Sequence, residues 1–210
     1  MTDDRPAGVP GTRADEVAMR RERRLVERAA AGDGPAFAEL YRLTADAVFR
    51  FVLFRVRDEA AAEDVTQEVY IRAHRGLGSL RDPDRFRSWL MRIAHNCAID
   101  HVTRREAREE TPLPPDALAW RNAVADEGGA TFDPEKHAEH VLNLQSVLDA
   151  CAHLTELQRQ VVALRFVGGL SVAETAAIMG RSPNAIHNLQ HHALAGLRRL
   201  LLPADDEVSE

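Results

Sequence analysis

The sequence predicts an all-α protein: two small helical domains, the C-terminal one a helix-turn-helix, joined by an acidic flexible linker. Three observations carry this expectation. Apolar residues recur every three or four positions through residues 20–108 and 135–202, while period-two strand patterns are nearly absent. Helix start and stop signals punctuate those stretches. Between them, residues 109–134 lose all periodicity and carry Pro112, Pro114, Pro115 and Gly128-Gly129. Residues 1–19 are read as a disordered N-terminal tail and 203–210 as a C-terminal tail.

In chain order, a short helix runs from Arg21 through Leu25, Val26 and Ala29 to the break at Gly32-Asp33-Gly34. Pro35 restarts a long helix whose buried face is expected to hold Phe37, Leu40, Tyr41, Thr44, Val48, Phe51, Val52 and Val56. Asp58 caps the next helix. Ala61, Ala62, Val65, Val69 and Ala73 form its apolar side, leaving Glu63, Asp64, Gln67, Glu68 and Arg72 outward. Asp82 and Pro83 then supply an N-cap and an N1 proline for a helix reaching about residue 107. Phe86, Leu90, Ile93 and Cys97 share one face of it. Trp89 beside them reads either as packing or as part of a binding surface. The arginines toward the end of this helix suit its dipole as well as an anionic ligand.

A helix over 135–151 leads into the C-terminal unit. Thr155 with Gln158 and Ser171 with Glu174 are capping boxes. Gly168-Gly169 and Gly180 are stop signals, and Ser182-Pro183 starts the last helix. Val161, Val162, Leu164, Val172, Ala176, Ile178, Ile186, Leu189, Leu194 and Leu197 are expected to close a trihelical core. A helix-turn-helix that only packs is the alternative to one that reads DNA.

The formal net charge is −6, and its distribution says more than its total. Arginines outnumber acidic residues seven to four over 81–108 and five to two over 151–200, whereas 109–140 carries eight acidic residues against two basic ones. Two positive blocks flank a negative one. Cys97 and Cys151 lie in apolar patterns and read as free thiols, with a disulfide as the other possibility. No apolar run approaches a membrane span, so a cytoplasmic protein is expected. Nor is there a P-loop, an HExxH or a nucleophile elbow, so no enzyme, cofactor or catalytic residue is expected. His187 and His191 stand four apart, but two imidazoles without a third ligand define no metal site.

Helix-turn-helix chemistry accounts for more. Ser182 and the helix start behind it can meet a phosphate. Asn184, His187, Asn188 and His191 are best placed to enter a major groove, where asparagine can pair with adenine. Arg181 and Arg198 suit phosphate contacts.

These stretches together resemble a bacterial RNA polymerase sigma factor of the small extracytoplasmic-function (ECF) type. AFAELYRLTADAVFRFV, AAEDVTQEVYIRAHRGLGSL and RFRSWLMRIAHNCAIDHVTRREAR resemble sigma region 2. LTELQRQVVALRF with the helix-turn-helix resembles region 4. The resemblance implies binding to core RNA polymerase through Asp64, Gln67, Glu68 and Arg72. It implies recognition and melting of the promoter −10 element by Arg81, Arg87, Trp89, Arg92, Asn96, Asp100, Arg104 and Arg105, with the loop 75–82 cradling a flipped base. The −35 element would meet Arg181, Ser182, Asn184, His187, Asn188, His191, His192 and Arg198. An anti-sigma factor is the expected further partner, and the acidic linker would thread toward the RNA exit path.

Departures from the family pattern fall on cationic positions: His95, His187 and His192 stand where Arg or Lys is usual. A free histidine is mostly neutral at neutral pH. Each replacement is therefore expected to remove a phosphate contact and make promoter binding depend on the polymerase. Two rival classes stay open. A dimeric helix-turn-helix regulator would need a ligand or receiver domain. An interaction protein that holds polymerase or an anti-sigma factor, with weakened DNA binding, would need none.

Overall fold

A computed structural model describes residues 13–107 and 149–201. The expected linker 109–134, most of the helix expected over 135–151 and the tail 203–210 lie outside the described residues.

Helix α1 spans Arg13–Ala30, so it starts within the segment expected to be a disordered tail. The residues explain this: Ala14, Glu16, Ala18, Met19 and the arginines are good helix formers. Glu16 and Arg20 add an i,i+4 pair at 3.9 Å. The turn after α1 places Gly32 at φ +93°, a backbone conformation that side chains resist. Asp33 then caps α2 (Gly34–Val56), its carboxylate accepting from the Ala36 N–H at 3.1 Å. Arg57 ends α2 in the left-handed region, donating its N–H to the Leu53 carbonyl.

Asp58 caps α3 (Glu59–Gly76) through the Ala61 N–H at 2.8 Å. Two short 3₁₀ turns, Leu77–Ser79 and Pro83–Arg85, lead into α4 (Phe86–Ala107), with Asp82 as the cap before Pro83. Central to this half is α2, which packs against α1, α3 and α4. Phe51, Leu40, Val52, Val69, Phe86 and Leu90 are almost fully buried there, each contributing roughly 1.5–3 kcal/mol of transfer free energy. One polar pair lies within: the Thr44 hydroxyl and the Tyr70 phenol are 2.8 Å apart. Burial pushes the Tyr70 phenol up to about 12, against the opposing effect of that hydrogen bond.

The C-terminal half holds α5 (Glu156–Val162), a π-helical turn at Ala163–Val167, α6 (Val172–Met179) and α7 (Pro183–Leu201). Both capping boxes form. The π turn carries α5 on to Gly168, whose N–H reaches back five residues to the Ala163 carbonyl at 2.8 Å. Val161, Val172, Ala176 and Ile186 close the trihelical core. Leu194, expected inside it, is 42% exposed, because Ala193 and Leu197 take the inward positions on that part of α7. Likewise Tyr41 is 46% exposed on α2, where Leu40 and Thr44 face the core instead.

The halves pack on each other. A continuous apolar cluster runs from Phe54 and Val56 of α2 and Met91, Ala94 and Ala98 of α4 to Cys151, Leu154 and Leu164. Cys97 and Cys151 are both buried free thiols, and burial pushes each upward from the ordinary thiol value. Among the described residues no helix is long and apolar enough to cross a membrane, and no group of three or more His, Cys, Asp or Glu side chains is placed to hold a metal ion.

Candidate nucleic-acid interface

The turn between α6 and α7 is fixed by local chemistry. Gly180 ends α6 at φ +62°, and the Arg181 N–H reaches the Ala176 carbonyl at 3.0 Å. Ser182 caps α7, its hydroxyl accepting from the Ala185 N–H at 3.3 Å. Ile186, Ala193 and Leu197 face inward. Arg181, Ser182, Asn184, His187, Asn188, His191, His192 and Arg198 are all exposed. Asn184, His187, Asn188 and His191 follow i, i+3, i+4, i+7 spacing, so they share one face that begins at the capped N-terminus. The His191 and His192 rings meet edge-on, 5.7 Å apart.

Sequence reasoning missed the residue that holds this helix in place. Arg165, in the π turn, is 6% exposed. Its Nε donates to Gln190 Oε1 of α7 at 3.0 Å, and its Nη1 donates to the Leu170 carbonyl. It therefore ties α5, the loop before α6 and α7 together. A lone arginine in the apolar run VVALRFV was the available signal.

The second cationic surface lies on and before α4. Arg81, Arg92, Asn96 and Arg104 are exposed, and Arg105 is half-buried. Trp89 is half-buried: its ring covers Gly76, where an added Cβ would lie 3.3 Å from the indole, and it stands 6.2 Å from the Phe86 ring. Trp89 thus packs against Gly76 and Phe86 while part of its ring stays exposed. Arg87 is engaged by Glu22 of α1, at 2.9 Å from Nε and 2.6 Å from Nη2 to the same carboxylate oxygen. Asp100 faces Arg72 of α3 at 3.5 Å and Arg104 at 3.9 Å. Residues assigned to different partners, Arg72 and Asp100, are therefore neighbours.

The candidate polymerase face is on α3. Asp64 and Gln67 are exposed, and Glu68 accepts from Arg72 Nε at 2.6 Å. That hydrogen bond, before the Asp100 contact, raises the Arg72 guanidinium above its ordinary value. Beside this polar stripe lies an apolar groove that was not anticipated. Tyr41, Ile71 and His74 line it with Gln67, and Tyr41 and Ile71 are each nearly half exposed.

His95 is a correction. Expected as a missing phosphate contact, it is 3% exposed, because its position on α4 turns inward between Ala94 and Ala98 at the junction of the halves. Burial, then the nearby Arg55 guanidinium, holds its imidazole down to about 4, with Glu156 opposing.

An all-α scaffold that exposes arginines at a capped helix-turn-helix and again around a half-covered tryptophan has the features of a nucleic-acid-binding protein. Residues 40–108 match sigma-70 region 2 and residues 144–197 match sigma-70 region 4. The ECF RNA polymerase sigma factor BldN of Streptomyces coelicolor is 39% identical over 84% of this chain, which spans 64% of BldN's length. The RNA polymerase sigma factor CarQ of Myxococcus xanthus is 32% identical over 88% of this chain and 99% of CarQ. CnrH, solved in complex with the cytosolic domain of CnrY, superposes with a TM-score of 0.61 at 27% identity, covering 86% of this chain and 97% of CnrH. The chain belongs to the sigma-70 family of RNA polymerase sigma factors, in its extracytoplasmic-function group. Its function is that of the group: to direct RNA polymerase to promoters.

Proposed function

We propose that the two halves divide promoter recognition between them, in the cytoplasm and on core RNA polymerase. The C-terminal half reads the −35 element. Asn184, His187, Asn188 and His191 enter the major groove, while Arg181, Ser182 and Arg198 meet phosphates and His192 lies beside His191. The observation that carries this reading is the single exposed face these residues make at the start of α7. A helix start is a natural phosphate seat, and side chains one turn in reach base edges. The N-terminal half takes the −10 element through Arg81, Trp89, Arg92, Asn96 and Arg105, with Arg87, Asp100 and Arg104 able to join once their internal partners release them. Asp64, Gln67, Glu68 and Arg72, with the apolar groove at Tyr41 and Ile71, form the polymerase face.

No catalytic residue enters this reading; the chain works by binding. An anti-sigma factor is a further partner, and the complex of CnrH with the cytosolic domain of CnrY is the precedent.

The test is a binding series on −35 duplexes with the reconstituted holoenzyme. Replacing Asn184 or Asn188 with Ala is expected to relax preference at one base pair, by about 1–3 kcal/mol. Replacing Arg198 with Ala is expected to weaken all sequences equally and flatten the salt dependence. Unchanged preference in both asparagine variants would contradict the assignment.

A further inference from the structure

The side chain of Arg55, in the last turn of α2, is only 3% exposed. Its Nη2 donates to Oε1 of Glu156, in the first turn of α5, at 2.5 Å. Its Nε has no hydrogen-bond partner, and neither has the buried Nδ1 of His95. A buried guanidinium is tolerated only with a counter-charge, and here the counter-charge comes from the other half of the molecule. Burial opposes ionisation of Glu156, but hydrogen bonds from Arg55 and Gln160 hold its carboxyl below its ordinary value. Around the pair the contact is apolar and close. A Cβ on Gly168 would lie 2.9 Å from Met91 Cε of α4. Nearby, Trp89, Arg92 and Arg85 share a cleft of about 660 Å³ with Ala173, Ala177 and Ile178 of α6.

We propose that the Arg55–Glu156 pair is a latch that keeps the free chain closed, and that it must open before both promoter elements are engaged. The last clause rests on the promoter reading above. Elements named for positions −10 and −35 lie about 25 base pairs apart, on the order of 85 Å. A compact chain of this length is only on the order of 45 Å across. One closed particle cannot reach both, so the halves separate and Arg55 exchanges Glu156 for water or another anion. Glu156 is half exposed and can leave with its own half intact. His95, neutral in the closed form, adds no second cation to the junction.

The latch is tested by fluorescence energy transfer in the full chain. The labels sit on Ala38→Cys and Ala195→Cys, both exposed positions, while the native thiols are buried. The unlatched variant is Glu156→Gln, which removes only a half-exposed charge. His95→Arg, which adds a cation beside Arg55, is the second variant, and circular dichroism confirms that both fold. The free chain is expected to give one high-transfer population. Each variant should raise the low-transfer fraction on the order of tenfold. High transfer unchanged in both variants, or a low-transfer population already dominant in the parent, would overturn the latch. Failure of the promoter reading itself appears separately, as promoter-specific transcription by holoenzyme that survives Trp89→Ala and Arg92→Ala.

Discussion

Arg87 and Glu22 form a two-nitrogen ion pair, with Nη2 of the arginine 2.6 Å from a carboxylate oxygen, and it joins α4 to α1. The pair is solvent-facing at the arginine, and such pairs contribute about 1 kcal/mol or less. Arg87 can therefore move to a phosphate at small cost. Glu22→Gln is expected to leave the melting temperature nearly unchanged and to raise −10 oligonucleotide affinity a few-fold at low salt. Fluorescence anisotropy checks this; equal affinity would leave Arg87 as a tie to α1 alone.

Gly168 is needed for space. A Cβ there would lie 2.9 Å from the Leu164 carbonyl oxygen as well as from Met91 Cε, and backbone cannot yield as a side-chain tip can. Gly168→Ala is expected to destabilise the chain by about 1–3 kcal/mol, measured as a lowered urea midpoint. Gly34→Ala, where nothing lies within 4 Å, is the control.

Arg165 should matter for both stability and −35 binding. Arg165→Met removes the donor to Gln190 and to the Leu170 carbonyl, at a cost of about 1–3 kcal/mol for the acceptors left behind. Tilting α7 should also weaken −35 binding in holoenzyme. A variant with lowered stability and intact −35 binding would confine Arg165 to packing.

His95 predicts a pH dependence. An unfolded histidine titrates near 6.5, whereas burial and Arg55 hold His95 down to about 4. Between those values the unfolded chain binds more protons, so stability is full above pH 6.5 and falls as the pH falls toward 4. The loss approaches about 3 kcal/mol at the bottom of that window. Urea midpoints at pH 7.5 and 5.0 should fall more in the parent than in His95→Gln; parallel losses would exclude His95 as the source.

His187 and His192 stay on the recognition face, unlike His95. Changing both to Arg adds fixed positive charge at exposed positions and is expected to raise −35 affinity and steepen its salt dependence. Unchanged affinity would mean that neither position meets a phosphate.

Helix identity was legible because caps and apolar spacing agree: Asp58, Asp82, Thr155, Ser171 and Ser182 each act as the pattern predicts; Asp33, read only as part of a break, proves to be a cap as well. The exposed face of α7 followed from the same periodicity. The sequence was silent on two kinds of feature. The π turn at Ala163–Val167 changes hydrogen-bond register without a composition signal, so the lone arginine in that apolar run did not reveal which groups Arg165 would bind. Arg55, His95 and Glu156 meet only because the halves pack together, a long-range contact that spacing along one helix cannot encode. Tyr41 was misplaced for a related reason. It lies at the rim of the helical stripe, where neighbours on α3, not period, decide burial.

Above all, this chain is expected to turn core polymerase into a promoter-specific enzyme. Reconstitution with core polymerase, followed by run-off transcription from promoters selected out of a random library, tests it most directly. The predicted result is discrete transcripts from templates sharing a −10 and a −35 element, lost on Trp89→Ala and altered in −35 preference by Asn184→Ala. Binding to core polymerase with no promoter-specific transcript would contradict it and make the chain a holding protein instead.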